Sequence, residues 1–388
     1  MTHLEKATRI YQVSALMILT TVLLFVLLNL ACLFTRPLWR HSEEVAPTRF
    51  YSAEEIAKLY GTLDGDEFVR LMEETWSRPV VYESYTHFKE DAFVGRYVNV
   101  HTNGFRLSRN QGPWPPERTR FNIFVFGGST TFGYGVPDGE TIPSALQEIL
   151  SKALNTDVRV YNFGRAFYQS IQERILFEQL LLAGAVPHLA LFVDGLNDMF
   201  FAEGEPYSAK VTAQLMGGKL LREHRYDLLR SLPVIEAFDA VAGRRPANAP
   251  LGENHPIDPR QPPTDEFKSL LDAACQRYLN NKELIERIAT AYGVKSCFIW
   301  QPVPTYKYDL NYHLFRGEGI SWRSRPGYER MAELIRIKPA GTNFLWCADM
   351  QQGFQEPLYV DAVHYSPKMC DLVARQIAKL LLERQLLR

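Results

Sequence analysis

Short apolar runs alternate with amphipathic segments over most of the chain after residue 119, and this alternation limits the folds that the chain can adopt. Each run has the length and composition of a strand buried in a parallel sheet. A repeated strand–helix order predicts an α/β fold with a mostly parallel sheet covered by helices on both faces. The predicted strands are Phe121–Phe126, Val158–Tyr161, Leu189–Val193, Lys295–Trp300 and Phe344–Cys347, and helices are predicted from Thr141, at Ser170–Leu182, at 265–292 and at 366–386.

Three of these strands are followed directly by residues that suit a catalytic site. Ser129 follows the first strand in Phe126-Gly-Gly-Ser129, Gly164 follows the second, and Asn197 follows the third in Asp194-Gly-Leu-Asn197. Parallel sheets bind ligands at the carboxyl ends of their strands. We therefore expect these three residues to lie near one another at one edge of the sheet.

A late Asp361-Ala-Val-His364 motif supplies the groups that the serine needs. A serine hydroxyl is a weak nucleophile until a base takes its proton, and an imidazole titrates in the right range to do so. Asp361 can accept from the other ring nitrogen of His364 and fix its tautomer. The predicted donors to the oxyanion are the Ser129 backbone N–H, a backbone N–H of the Gly164 loop and the Asn197 side-chain amide.

Each motif alone has a simpler interpretation. The Gly-Gly-Ser129 segment can be a turn or an anion-binding loop, although no Gly-Lys-Ser/Thr follows it. Asn197 can belong to a helix cap, and the Asp361–His364 pair can be a capped turn or half of a metal site. No cysteines and histidines in the sequence have the spacing that is typical of zinc ligands. The order of the motifs, and their places after strands, favours catalysis without a metal or cofactor.

These motifs resemble the conserved blocks of the SGNH/GDSL hydrolases. Ser129 resembles the Gly-Asp-Ser block, Gly164 the glycine block, Asn197 the Gly-x-Asn-Asp block, and Asp361 with His364 the closing block. The resemblance covers about residues 119–200 and 265–386. It implies a three-layer α/β/α sandwich and ester hydrolysis or acyl transfer.

The chain departs from that family pattern at two positions. The aspartate that precedes the family serine is Gly128 here, which removes no catalytic group. A second glycine often lies three residues after the first in the glycine block, and Phe167 occupies that place. Phe167 is therefore the alternative oxyanion donor and a predicted substrate contact. Two tyrosines in the loop after the fourth strand are the other predicted contacts: Tyr306 and Tyr308.

The N-terminal segment has the composition of a membrane anchor. Ile10–Thr35 contains no charged residue, and a helical span at about 12–34 is long enough to cross a bilayer. A cleaved signal peptide and lipidation at Cys32 are the alternatives. The apolar region is long for a signal peptide, and Asn29 occupies the place where a lipidation motif would have leucine. The segments before and after the span carry nearly equal numbers of positive charges, so the positive-inside rule does not fix the orientation. We expect a single-pass signal anchor with the catalytic domain on the extracytoplasmic side.

The rest of the chain divides by composition. Residues 1–40 form the tail and anchor, 41–118 an aromatic-rich lead-in without chemistry of its own, and 119–388 the hydrolase-like domain, with an insert at about 200–264. The net charge of −1 gives no reason to expect nucleic acid as a partner. Four cysteines after the anchor suit either disulfides or buried thiols: Cys275, Cys297, Cys347 and Cys370.

The leading hypothesis is a membrane-anchored serine esterase that removes an acyl group from a glycan, a lipid or a small ester. An O-acyltransferase that modifies an envelope or exported polysaccharide would use the same three residues. A non-catalytic binding or scaffold protein of the envelope is the alternative from a different class.

Overall fold

The structure is a computed structural model. Its described elements fall into two compact units, one holding the N-terminal helix and residues 233–235 and the other holding the remaining elements. Most of the predicted insert at 200–264, including its proline-rich part, lies outside the described residues. Those described are 3–39, 52–61, 63, 65–76, 78, 80–202, 233–235, 264–314 and 324–387.

Helix α1 (His3–Trp39) is long and apolar enough to cross a membrane. Its candidate span, Thr8–Thr35, has 28 residues and a mean hydropathy of 2.6, and no side chain in its most apolar part is buried within the described structure. At about 1.5 Å per residue, such a helix exceeds a hydrocarbon core of roughly 30 Å.

A five-stranded parallel sheet forms the centre of the second unit, as the strand–helix alternation predicts. Its strands are β5 (Phe121–Gly127), β6 (Val158–Gly164), β7 (Leu189–Asp194), β8 (Lys295–Trp300) and β9 (Phe344–Trp346). They lie in the order β6-β5-β7-β8-β9. The connection after β5 leads to β6 on one side, whereas the connection after β7 leads to β8 on the other side, so a crevice opens between the carboxyl ends of β5 and β7.

Helices cover both faces of this sheet and complete an α/β/α sandwich. The helices are α5 (Ile142–Leu154), α6 (Ser170–Leu182), α8 (Asp265–Ala291), α9 (Ser324–Ile337) and α10 (Pro367–Glu383). Aliphatic side chains such as Ile123, Leu191 and Ile299 form a core with the helices on one face, α5 and α10. The other face carries α6, α8 and α9, whose Phe177, Tyr278 and Tyr328 contact the sheet's aromatic side chains.

The second face of the sheet is built around a row of phenylalanines in register. Phe126 pairs with Phe163 on one side and with Phe192 on the other, and Phe192 pairs with Phe298. The rings of Phe126 and Phe192 are stacked with centroids 4.9 Å apart, and those of Phe192 and Phe298 are 5.3 Å apart. This row aligns β5, β6, β7 and β8, so the carboxyl ends of these strands lie at one edge.

The segment before the sheet folds onto it within the same unit. Arg106 is fully buried and donates to the carbonyl oxygens of Phe132, Gly133 and Val136 and to the Asp138 carboxylate. These contacts hold the chain that follows β5. The segment contains α2 (Ala53–Tyr60), α3 (Gly65–Trp76), the antiparallel hairpin β1 (Val80–Glu83) and β2 (His87–Glu90), and the short strands β3 (Phe93–Val94) and β4 (Asn99–Val100).

Candidate active site

Ser129 begins the short helix α4 (Ser129–Phe132) directly after β5. The turn is tight: a Cβ on Gly127 would collide with the Thr131 side chain. Because Ser129 is the first residue of a helix, its N–H has no acceptor within that helix. The glycines therefore place a hydroxyl and a backbone donor together at the carboxyl edge of the sheet.

The predicted base and its partner lie beside Ser129. His364 Nε2 is 2.8 Å from Ser129 Oγ, and His364 Nδ1 is 2.6 Å from Asp361 Oδ2. The second oxygen, Asp361 Oδ1, accepts from the backbone N–H groups of Val363 and His364, each at 2.8 Å. Both oxygens of the carboxylate are thus used to hold the imidazole and the turn that carries it.

The environment of Asp361 keeps it ionised. Burial opposes its charge, but the neighbouring His364 and the hydrogen bonds from His364 and Val363 outweigh burial, and the pKa of Asp361 is lower than usual. His313 is also buried nearby, with 2 % of its surface exposed. Burial lowers the pKa of His313 to about 4, although the negative charge of Asp361 opposes this shift. His313 is consequently neutral at physiological pH.

Two aromatic rings flank the imidazole of His364. Tyr134 stacks on it with ring centroids 5.3 Å apart, and the edge of Trp76 meets it at 5.6 Å. Sequence reasoning missed both residues. Tyr134 lies only five positions after Ser129, which was a usable signal, whereas Trp76 belongs to α3, far away in the sequence. The lead-in therefore contributes to the site, contrary to the expectation that it has no chemistry of its own.

Gly164 lies against helix α4, which begins at Ser129, but its N–H is already bonded. Gly164 N–H donates to Asn162 Oδ1 at 3.0 Å. A Cβ on Gly164 would collide with the backbone of Thr131 and Phe132, so this glycine allows α4 to pack against β6. The contact gives Gly164 a packing role and speaks against the predicted oxyanion role.

Phe167 has the backbone conformation that a glycine would adopt easily. Its φ is 59°, and it is the third residue of a turn closed by Tyr168 N–H donating to Arg165 O at 3.4 Å. Turns of type II require a positive φ at this position. Within the described residues, no hydrogen bond engages the Phe167 N–H. In the described part of the chain, the Phe167 N–H thus differs from the Gly164 N–H, which is bonded.

Asn197 lies in the short helix α7 (Leu196–Phe200) after β7. Its side-chain nitrogen donates to Tyr168 O at 2.7 Å, which uses one of the two amide hydrogens. That contact ties Asn197 to the turn containing Phe167. The same amide nitrogen lies against Gly128, the residue before Ser129, where a Cβ would be 2.5 Å from it.

Tyr306 and Tyr308 do not have the surroundings expected of substrate contacts. Tyr306 is 8 % exposed and packs against Tyr328 and Trp346. Tyr308 is 9 % exposed, and its hydroxyl donates to Glu356 O at 2.8 Å. Both rings pack in the interior.

A buried acidic cluster lies beneath Asn197. Glu173, Asp194 and Asp198 are at most 7 % exposed, and Ser170 Oγ donates to Asp198 Oδ1 at 2.7 Å. Burial raises the pKa of Asp194 well above its usual value, and the charge of Asp198 adds to this effect. Burial and the charges of both aspartates likewise raise the pKa of Glu173. Both shifts favour the protonated forms of these two carboxyl groups.

The cysteines after α1 are free thiols in the interior of the second unit. Burial raises the pKa of Cys275, Cys297 and Cys347 to about 12, so these thiols are poor nucleophiles. Cys370 is also buried and free. Over the described ranges, no group of three or more His, Cys, Asp or Glu side chains is arranged to hold a metal ion.

No protein-family model matches the chain, and no curated protein matches it. Solved structures do. A member of the lipolytic protein G-D-S-L family from Veillonella parvula is 13% identical, with a TM-score of 0.33, over 68% of this chain and 96% of its own. A lipase from a goat rumen metagenome is 12% identical, with a TM-score of 0.39, over 67% of this chain and 97% of its own. LAE5, an alpha/beta hydrolase from a lake metagenome, is 17% identical, with a TM-score of 0.35, over 69% of this chain and 96% of its own. The chain is thus similar to solved lipolytic and hydrolase structures.

Proposed function

We propose that this protein is a membrane-anchored serine esterase in which Ser129, His364 and Asp361 form the catalytic triad. The observation that carries the proposal is the continuous hydrogen-bonded chain from Ser129 Oγ through both ring nitrogens of His364 to Asp361. It lies at the carboxyl edge of a parallel sheet, where such folds bind ligands.

The geometry supports a two-step acyl transfer. His364 Nε2 takes the proton of Ser129 Oγ as the oxygen attacks the ester carbonyl, while Asp361 stabilises the imidazolium that forms. The tetrahedral intermediate collapses, His364 returns the proton to the departing alcohol oxygen, and the acyl group stays on Ser129. Water then attacks the acyl-enzyme by the same route, releasing the carboxylic acid and restoring Ser129.

Three N–H groups are proposed to bind the oxyanion of both intermediates. They are the backbone N–H of Ser129, the backbone N–H of Phe167 and the Asn197 amide hydrogen that does not bind Tyr168. Loss of one such donor typically reduces the rate about 10²–10³-fold.

The membrane anchor is proposed to be α1, with the catalytic unit on the extracytoplasmic side. The apolar side chains of α1 are not buried against other described residues. A helix of this hydropathy is stable in lipid because its backbone N–H and C=O groups bond to one another. A C-terminal alkaline phosphatase fusion, which is active only after export, tests the orientation. An active fusion in a carbonate-resistant membrane fraction is expected, and an inactive, full-length fusion would contradict it.

Esterase activity is tested on the full-length chain in detergent with p-nitrophenyl acetate and butyrate. Hydrolysis is expected to fall at least about 10³-fold in Ser129→Ala and His364→Ala. Ser269→Ala, which changes an exposed helix serine, is the matched control and should retain wild-type rates. A fluorophosphonate should label only the Ser129 peptide. Activity that survives both site substitutions would rule out the triad.

The natural substrate is proposed to be an acylated glycan or lipid at the membrane surface. Adding a polysaccharide acceptor to the assay separates hydrolysis from transfer, because water and the acceptor hydroxyl compete for the same acyl-enzyme. Free acid as the main product supports an esterase, whereas acylated acceptor as the main product supports an O-acyltransferase.

A further inference from the structure

The hairpin β1–β2 holds the turn Arg165–Tyr168, which we call the oxyanion loop. The Tyr168 hydroxyl donates to Phe88 O at 2.7 Å, and Arg165 forms an ion pair with Glu83. Between them, the Ala166 N–H donates to Glu90 Oε1 at 2.7 Å. The hairpin thus contacts the loop at its first, second and fourth residues and leaves the N–H of the third, Phe167, without an acceptor among the described residues.

Glu90 has the central position in this contact. Its side chain is 4 % exposed and lies at the end of β2, opposite Val80 in the hairpin. Its carboxylate also acts on Tyr134: burial, followed by the negative charge of Glu90, raises the pKa of that hydroxyl. Tyr134 in turn stacks on His364. One carboxylate therefore contacts the oxyanion loop and faces the ring that supports the imidazole.

The oxyanion loop needs such support because a left-handed backbone is unfavourable for phenylalanine. Strained residues of this kind persist where surrounding contacts over-determine them. The peptide N–H next to the strained residue is the one that Glu90 binds. A buried carboxylate is a strong acceptor for a backbone N–H, and its loss would leave the Ala166 N–H unpaired in the interior.

We propose that Glu90 is a positioning residue of the active site: its carboxylate fixes the Ala166 N–H and thereby keeps the Phe167 N–H available for the oxyanion. This inference rests on the proposed esterase function. It makes the hairpin of the N-terminal segment a working part of the site, acting through the oxyanion loop and not on the substrate itself.

The test uses the full-length protein with Glu90→Ala, Glu90→Gln and Glu90→Met. Glutamine keeps an acceptor oxygen for the Ala166 N–H, whereas methionine fills a similar volume without one. We expect Glu90→Ala and Glu90→Met to lower kcat for p-nitrophenyl acetate about 10–100-fold, with KM changed less than about threefold, as for a weakened oxyanion donor. Glu90→Gln should keep kcat within about fivefold of the wild-type value.

Thermal unfolding and a matched control separate positioning from a general loss of stability. Glu286→Ala removes a carboxylate that accepts from Lys282 and Asn343 near the amino-terminal ends of β8 and β9, away from the site. It should lower the melting temperature without changing kcat. Methionine provides a second apolar variant if the alanine variant fails to fold.

Wild-type kcat in a folded Glu90→Met or Glu90→Ala variant would overturn the proposal, as would a Glu90→Gln variant as slow as Glu90→Met. These results leave the esterase assignment intact. A wild-type protein that neither hydrolyses esters nor reacts with fluorophosphonate would instead refute the esterase function, and the positioning role with it.

Discussion

Gly128 and Asn197 lie so close together that residue 128 has no room for a side chain. A Cβ on Gly128 would be 2.5 Å from Asn197 Nδ2, well inside van der Waals contact. In this structure the Asn197 amide occupies the space that a side chain at residue 128 would need. The same amide is held by Tyr168 O at 2.7 Å.

Gly128→Ala and Gly128→Asp are expected to displace the Asn197 amide. Since one donor of the proposed oxyanion hole would be lost, kcat should fall about 10²–10³-fold. Steady-state hydrolysis of p-nitrophenyl acetate measures the effect, and Gly353→Ala is the control for introducing a methyl group where nothing lies within 4 Å, although its positive φ costs some stability. Unchanged kcat in Gly128→Asp would show that Asn197 does not act from this position.

Phe167→Gly and Phe167→Val test the left-handed conformation. Glycine keeps the N–H and adopts the φ of 59° without strain, so kcat should stay within about threefold of wild type. Valine is β-branched and strongly disfavours this region, so both kcat and the melting temperature should fall, with a stability cost of about 1–3 kcal/mol. Ester hydrolysis and thermal unfolding are measured together. Equal behaviour of the two variants would argue against a conformational role.

Trp76→Leu is expected to loosen the imidazole of His364. The edge of the Trp76 ring lies against that imidazole, with centroids 5.6 Å apart, and its loss would leave Tyr134 as the remaining one of the two flanking aromatic rings. We expect a fall in kcat of about tenfold, because a misplaced base transfers protons less efficiently. Trp76→Phe, which retains an aromatic edge, should lose less. A Trp76→Leu protein that is folded and fully active would remove Trp76 from the site.

Asp194→Asn should make folding less sensitive to alkaline pH. The pKa of Asp194 is raised in the folded state, so the folded protein holds a proton that the unfolded chain releases above its ordinary pKa. The free energy of unfolding then decreases as pH rises, by up to about 1.4 kcal/mol per pH unit, until the folded group also ionises. Denaturant unfolding between pH 5 and pH 9 should show a shallower decline in Asp194→Asn.

The exposed Asp349→Asn is the matched control for Asp194→Asn and should follow the wild-type curve. Because the pKa of Glu173 is also raised, the free energy of unfolding of the Asp194→Asn variant is still expected to decrease somewhat as pH rises. A wild-type slope in Asp194→Asn would show that the cluster does not hold its proton there.

Local pattern was sufficient for the framework of the second unit. The strand Lys295–Trp300 and the helix Ser170–Leu182 have the bounds that the sequence predicts, because apolar periodicity and end signals act over a few residues. The α/β fold was confirmed for the same reason. Helix α9 was missed, and it begins directly after residues that the structure does not describe.

The chemistry of the site was only partly readable. Residue type and order singled out Ser129, Asp361 and His364, which the structure brings within hydrogen-bonding distance. They could not show that the Gly164 N–H is bonded to a side chain two residues earlier. Whether a backbone N–H is available depends on local dihedral angles and nearby acceptors, which residue identity leaves open.

Local sequence pattern was enough to predict the five strands of the central sheet, four of the five helices that cover it, the apolar N-terminal helix and the three residues of the proposed triad. The packing of Trp76 against His364 and the bond of Glu90 to the oxyanion loop became visible only in the folded chain. Such contacts join residues far apart along the chain. Their geometry follows from how whole elements pack, so short-range periodicity in the sequence cannot predict it.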